Sequence, residues 1–414
     1  MAAADTRRTG AQDWAFEFGA GRPEAGFRIR SLTLGLPLES LADLAAVDRA
    51  AAILENAKRR LENAGYEIQT LRLATPPLWR LAAAPPRPGM LEALAALERQ
   101  ADARGLLIGV GPLAEPGKAD ADTLALARAL ASGTGRVCFS LPVATAEAGP
   151  DPVNISVAGR IAAALAQDSD NGEAAFRFAA AACCPPGIPF FPAAFHEGRE
   201  ALSIGLEAAH LIADAIEDSA ANPSQSIARR LDVALRPLED IAEDLAATSD
   251  IAFLGIDTSP APMRRISIAD PIERLSGAPF GGPGTLAACA AVTAGLKRTR
   301  VRRCGFSGLM LPLLEDDLLA RRAAEGRYGV QDLLSFSSVC GTGLDTVPVP
   351  GDSAPADLAK VIGDMAALAA TYDKPLVARL LPVPGKAAGD PVSFASPFLT
   401  DSRVLPLDGR LEPG

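Results

Sequence analysis

Aromatic side chains make up only 5% of this 414-residue chain, and histidine occurs twice. A core so short of rings must be packed mainly by Ala, Leu and Val, which the 49% hydrophobic content supplies. Proton transfer near neutral pH has two imidazoles to draw on, His196 and His210. Positive charge is also scarce: 40 Lys and Arg stand against 50 Asp and Glu, a formal net charge of −10. Nucleic acid and anionic membrane surfaces are held by clustered cations, so neither is an expected partner. None of the six cysteines (Cys138, Cys183, Cys184, Cys289, Cys304, Cys340) stands in Cys-x-x-Cys spacing, and a chain of this size needs no disulfide staples. No metal site is expected. No apolar run reaches about 18 residues without Gly, Pro or charge, which argues against a transmembrane helix. The first 25 residues are polar and lack the apolar stretch of a secretory leader, so the expected location is the cytoplasm.

What the chain does have is alternation of short β-patterned runs with longer helical ones. Phe27-Arg-Ile-Arg-Ser-Leu-Thr-Leu-Gly35 alternates apolar and polar residues, and Leu41 to Gly65 then carries a helical period. The unit repeats through strands at Glu67 to Ala74, Leu106 to Val110 and Val137 to Ala144, with helices at Pro88 to Gly105 and Asp122 to Gly133. Further strands are expected at Phe176-Arg-Phe178, 202–206, 251–256, 304–311 and 376–381, and helices at 226–247, 284–296, 317–325 and 356–370. Strand followed by helix implies parallel pairing with helices on the sheet faces. No flexible polar linker interrupts the pattern. We therefore expect an N-terminal tail over residues 1–25, one α/β domain over 26–404 and a C-terminal tail over 405–414.

Chemistry concentrates in a few segments. Ser338-Val-Cys-Gly-Thr-Gly-Leu-Asp-Thr-Val-Pro-Val-Pro-Gly-Asp352 places one cysteine in a glycine-rich run followed by two acids and two prolines, an arrangement suited to holding one shape. Its apolar residues imply that it enters the central cavity. His196, in Phe190-Phe-Pro-Ala-Ala-Phe-His-Glu197, is the natural proton partner for such a thiol. Arg177 and Arg379 sit among apolar neighbours, where a guanidinium must meet a carboxylate, either the protein's own or a ligand's. Gly281-Gly-Pro-Gly-Thr285 precedes a helix and offers free amides to an anion. The acids of Leu314-Glu-Asp-Asp317 fall at a helix start and are expected as caps. Leu106-Leu-Ile-Gly-Val-Gly-Pro112 imitates a dinucleotide fingerprint, but Pro112, Pro116 and Gly117 delay the helix that would face the pyrophosphate. No cofactor is identified.

Taken together, several segments resemble the family of bacterial and archaeal proteins known as domain of unknown function 711, or uncharacterised protein family 0210. They are Ile29-Arg-Ser-Leu-Thr-Leu-Gly35, Phe176-Arg-Phe-Ala-Ala180, Pro189-Phe-Phe-Pro-Ala-Ala-Phe-His196, Ile204-Gly-Leu-Glu207, Pro283-Gly-Thr285, Gly305-Phe-Ser-Gly-Leu-Met-Leu-Pro312, Val339-Cys-Gly-Thr-Gly-Leu-Asp-Thr-Val-Pro348 and Lys374-Pro-Leu-Val-Ala-Arg-Leu-Leu-Pro382. The resemblance implies a large ten-stranded α/β barrel of the pyruvate formate-lyase-like type: two five-stranded parallel halves laid antiparallel, helices outside, and a loop threading the interior. It implies no activity. Glycyl-radical chemistry is disfavoured, because Arg302-Arg-Cys-Gly-Phe306 has Phe where the radical segment has Tyr and more than a hundred residues follow it.

The functional expectation is an enzyme, non-radical and cysteine-dependent, acting on a small carboxylated metabolite inside the barrel. Cys340 is the candidate nucleophile or acid/base, with His196 as its proton partner and Asp345 or Asp352 as orienting acid. Arg177 or Arg379 would clamp the carboxylate, with Gly341, Thr342, Gly284 and Thr285 as further ligand contacts. The alternative is a non-catalytic binding or regulatory protein sensing an amino acid or oxo acid. Assembly as a homo-oligomer is expected.

Overall fold

The computed structural model describes residues 23–82, 89–219, 221–394 and 396–412; most of the expected N-terminal tail lies outside them. Its strands are β1 (Arg28–Gly35), β2 (Ile68–Ala74), β3 (Leu106–Pro112), β4 (Val137–Thr145), β5 (Gly149–Pro150), β6 (Phe178–Ala182), β7 (Ala201–Glu207), β8 (Ala252–Ala261), β9 (Gly343–Pro350), β10 (Leu376–Val383), and the small pair β11 (Pro391–Val392) and β12 (Ser402–Arg403). The helices are α1 (Leu44–Asn63), α2 (Leu78–Ala82), α3 (Met90–Asp102), α4 (Ala121–Gly133), α5 (Pro152–Gln167), α6 (Ala209–Asp218), α7 (Pro223–Thr248), α8 (Ala269–Ser276), α9 (Thr285–Arg298), α10 (Asp317–Ala324), α11 (Val330–Ser337) and α12 (Pro355–Thr371).

One large mixed sheet of ten strands organises the molecule, in the order β8-β7-β1-β2-β3-β4-β6-β10-β9, with β5 attached to β4. Strands β1, β2, β3, β4 and β6 run parallel. On either side the direction reverses, at β1–β7 and at β6–β10. The flanking pairs β7–β8 and β9–β10 are each internally parallel. Beyond the two ends lies segment 302–312, which touches β8 through a parallel bridge between Ile256 and Arg303 and β9 through one between Pro312 and Asp345.

The two faces of the sheet differ in composition for a physical reason. Leu32, Leu34, Leu73, Ile108, Phe139, Leu141, Ile204, Leu344, Val347 and Leu376 belong to the main core with helix residues such as Leu54, Leu97, Ile161, Leu235 and Met365. Alternate positions face the other way, since side chains switch sides at every residue. There most residues are small or polar, with Leu107 and Val377 among the exceptions, because another piece of backbone lies against them. Segment 188–196 crosses this second face. A Cβ on Gly205 of β7 would strike Ser31 Oγ and lie 3.9 Å from Pro189, one on Gly109 of β3 would meet Phe191 and Ala194, and one on Gly35 of β1 would strike the His196 ring. Ile188 and Ala193 pack against Ala179 and Ala181 of β6 and Val377 of β10.

Local signals explain most boundaries. Asp120 and Thr123 form a reciprocal capping box at α4, and Asp151 with Pro152 opens α5. Four expectations are corrected. Residues 304–311 form no strand; Gly305 and Ser307 have positive φ and their loop wraps a carboxylate. Phe176 and Arg177 end a 3₁₀ turn, and the strand begins at Phe178. The glycine-rich run at 338–352 is not a loop throughout: residues 343–350 are a buried strand, β9. Helices α5, α8 and α11 were not expected from periodicity. The last residues pack on the body, with Leu405 fully buried and its N–H donating to Pro348 O at 2.9 Å.

Candidate functional site: a charged cavity on the inner face

The face crossed by segment 188–196 carries a cavity of about 80 Å³. Its walls mix aromatic and apolar groups, among them Phe176, Phe190, Phe191 and Met310, with the charged side chains of Arg30, Arg72, Asp257, Glu315 and Arg379.

One ionic chain runs along this wall. Arg379 on β10 donates from Nε to Asp345 Oδ1 on β9 at 2.6 Å and from Nη2 to Glu315 Oε1 at 2.7 Å. Glu315 accepts on its other oxygen from Arg30 of β1. The Arg379 guanidinium lies 4.5 Å from the Phe176 ring centroid and 5.4 Å from that of Phe190. Burial opposes ionisation of Glu315, but Arg30 and Arg379 outweigh it and hold its pKa below the ordinary carboxylate value. Asp345 is pushed up to about 6: burial raises it, Arg379 lowers it and neighbouring Glu315 raises it again. Its second oxygen, Oδ2, is buried and has no hydrogen-bond partner.

Asp257 on β8 is held differently. Its oxygens accept from the backbone N–H groups of Ser259 (3.0 Å), Ser307 (2.9 Å) and Phe306 (3.0 Å). This is why Gly305 carries no side chain: a Cβ there would fall 2.1 Å from Asp257 Oδ2. Burial still raises the Asp257 pKa against those donors.

Arg72 on β2 has no ion-pair partner among the described residues. Its Nε donates to Thr70 Oγ1 at 2.9 Å and its Nη1 reaches Pro189 O at 3.4 Å, while the guanidinium sits 5.0 Å from the Phe191 ring centroid. Burial, and then repulsion from Arg30, push its pKa down to about 9. A half-buried cation with no ion-pair partner is costly, and Glu315 nearby offsets that cost only in part.

The residues expected from sequence are distributed as follows. Arg379 and Asp345 belong to the ionic chain. Arg177 does not reach the cavity: its guanidinium donates to Ala131 O (2.6 Å), Val137 O (3.2 Å) and Thr134 Oγ1 (3.0 Å), closing the carboxyl end of α4, so neutral oxygens satisfy it instead of a carboxylate. His196 is buried beside Gly35, with Nε2 donating to Arg199 O at 2.8 Å, and burial lowers its pKa. Cys340 is buried in the main core next to Cys289, and desolvation drives its thiol well above the ordinary value. The cation beside it, Lys374, gives its protons to the carbonyls of Ser337, Ser338 and Cys340. Asp352 is exposed in the turn after β9. Gly341 lies so close to Gly308 that a Cβ would come within 2.5 Å of Gly308 Cα, and Thr342 Oγ1 donates to Leu309 O at 3.3 Å. Gly284 and Thr285 form a packed turn in which Thr285 Oγ1 accepts from Gly281 N at 3.1 Å. Apart from Arg379, none of the expected residues is among the cavity's lining groups.

Neither Arg30 nor Arg72 was singled out from the sequence, and Glu315 was expected only as a helix cap. The acids at 315–317 divide by role: Asp316 caps α10 by accepting from Leu318 N and Leu319 N, Asp317 pairs with Arg264, and Glu315 turns inward. The available signal was alternation itself. Polar positions Arg30, Thr70 and Arg72, in strands whose other face is helix-covered, must point into an interior.

Fold and site together define an α/β protein built on a large mixed sheet, with a set of buried and half-buried arginines and carboxylates on the face away from the helices. Among the described residues there is no cluster suited to a metal ion and no helix long and apolar enough to cross a membrane. The chain belongs to the family described as Uncharacterised ACR (DUF711), whose profile matches residues 23–397. Similar proteins include the UPF0210 protein of Lactiplantibacillus plantarum, 28% identical over 414 residues with 93% of this chain and 92% of the relative covered. Those of Syntrophobacter fumaroxidans and Pyrobaculum arsenaticum are each 30% identical, covering 88% of both chains in the first case and 83% and 82% in the second. None of these names states an activity.

Proposed function

We propose that the protein binds a small carboxylated metabolite in the inner cavity, with Arg72 and Arg30 holding the carboxylate and Phe190, Phe191 and Met310 covering its apolar part. The observation that carries this reading is the Arg72 guanidinium, half-buried in the cavity wall with no carboxylate at ion-pair distance among the described residues. A ligand anion would supply the missing counter-charge through charge-assisted hydrogen bonds. Arg379 is a weaker clamp, because Asp345 and Glu315 already occupy its donors. Within this reading the cavity carboxylates replace Cys340 and His196 as the groups placed for acid/base work. The fold reading that accompanies it is a closed barrel similar to the pyruvate formate-lyase type, in which segment 302–312 supplies the tenth stave. Its support is the pair of bridges to β8 and β9 and the hydrogen bond from Ile256 N to Arg302 O at 2.8 Å.

The test is calorimetric titration with acetate, propionate and benzoate, using chloride as the control anion, on the natural protein and on Arg72→Met. Saturable binding of a carboxylate that disappears in the variant supports the reading. Equal binding by both proteins, or none by either, refutes it.

A further inference from the structure

Behind the Arg379 wall of the inner cavity lies one feature that anion binding at Arg72 alone does not explain. Asp345 is a fully buried carboxylate with one oxygen paired to Arg379 and the other, Oδ2, facing no donor. A buried carboxylate oxygen left bare costs free energy for as long as the group is charged. Proton uptake removes that cost, because the carboxyl then carries one charge less to desolvate.

The charged groups of Asp345's ionic chain and of the cavity beside it come from four strands and one turn. Arg379 of β10 touches it directly, and Glu315, in the turn before α10, shares that guanidinium. Arg30 of β1 is bound to the far oxygen of Glu315. Arg72 of β2 and Asp257 of β8 line the same cavity. Counting these side chains, three arginines face three carboxylates, so the ligand-free set is balanced when all are ionised. An arriving carboxylate adds one negative charge and competes with Glu315 for Arg30. Both effects make it harder for Glu315 and Asp345 to remain ionised together around Arg379.

We propose that Asp345 takes up one proton when a carboxylate enters beside Arg72 and Arg30, so that the cavity receives an anion and a proton together. The proton comes from solvent and bonds to a carboxylate oxygen of Asp345; no other bond forms or breaks. Asp257 is not the acceptor, since three backbone N–H groups already satisfy it, whereas Asp345 Oδ2 has none. The ligand-free pKa of Asp345, about 6, leaves it mostly ionised at neutral pH and within reach of such a change. This inference rests on the binding reading above.

The experiment is titration of the full chain with propionate at pH 7 in buffers of different ionisation enthalpy, which counts protons taken up per ligand bound. We expect an uptake between about one half and one, and an affinity that weakens by up to about tenfold for each pH step of one above neutrality. Asp345→Asn should bind propionate with uptake near zero and a flattened pH profile, whereas Asp352→Asn, which alters the exposed acid after β9, should retain the uptake. The measurement on the natural protein stands even where Asp345→Asn fails to fold. Binding without proton uptake, or uptake lost in Asp257→Asn and kept in Asp345→Asn, overturns the proton assignment and leaves the binding site intact. Absence of propionate binding at every pH overturns both.

Discussion

Replacing Arg72 by methionine should stabilise the ligand-free protein while abolishing anion binding. Methionine roughly conserves the length of the side chain and removes its charge. In the folded state burial depresses the Arg72 pKa from the ordinary arginine value to about 9. At about 1.4 kcal/mol for each tenfold step, that corresponds to roughly 5 kcal/mol of unfavourable charge burial as an upper bound. Relaxation of the site and loss of the hydrogen bond to Thr70 offset part of the gain, leaving a net stabilisation of about 1–3 kcal/mol. An unfolding entropy of roughly 2.1 cal/mol/K per residue converts this to a rise in Tm of only about 1–3 °C for a chain of this length. The pH dependence has a definite sign. A base whose folded pKa lies below its unfolded one destabilises fully at pH values below both, and the penalty fades as pH climbs from about 9 toward the ordinary arginine value. The advantage of Arg72→Met should therefore be constant from about pH 6 to 8 and shrink in more alkaline buffer. Urea unfolding followed by circular dichroism, in parallel with calorimetric titration, measures both halves of the claim. A variant that loses several kcal/mol and still binds carboxylates would show that Arg72 is a structural residue, and the reasoning would fail.

Glu315→Gln should cost about 3 kcal/mol or more in the same unfolding assay, because it leaves Arg30 and part of Arg379 buried beside a neutral group; a loss under about 1 kcal/mol would mean the ionic chain is solvent-screened. Cys340→Ala should change stability by about 1 kcal/mol and leave carboxylate affinity unaltered, and iodoacetamide at pH 8 should leave Cys340 unmodified in the folded protein. Rapid alkylation of that thiol would restore it as a nucleophile. Gly35→Ala should destabilise by about 1–3 kcal/mol, since its Cβ would overlap the His196 ring held by Arg199 O; a neutral result would mean that segment 188–196 can lift from the sheet.

Local chemistry alone determined much of this molecule. Alternation placed β1, β2, β3, β4 and β10 within a few residues of their observed ends, because the side-chain period of a strand is a property of the strand itself. Helices α1, α4, α7 and α12 were legible for the same reason, but of the acids at 315–317 expected as caps only Asp316 holds the start of α10. The interior Arg379 was readable from its apolar neighbours, since a guanidinium among them must find a counter-charge. Which counter-charge it finds was not readable. Asp345 stands 34 positions away and Glu315 stands 64 away, and only the pairing of β9 with β10 and the approach of the turn before α10 bring them to it. The same holds for Arg177, whose needs are met by the carbonyl end of α4, a helix that ends more than 40 positions earlier. Cys340 looked reactive because a glycine-rich run can hold a thiol, but reactivity depends on what surrounds the sulfur. Tertiary packing set it beside Cys289 with Lys374 occupied by carbonyl oxygens, and desolvation there keeps it protonated. Period and propensity act over a few residues, whereas burial and charge compensation depend on every strand that reaches the cavity.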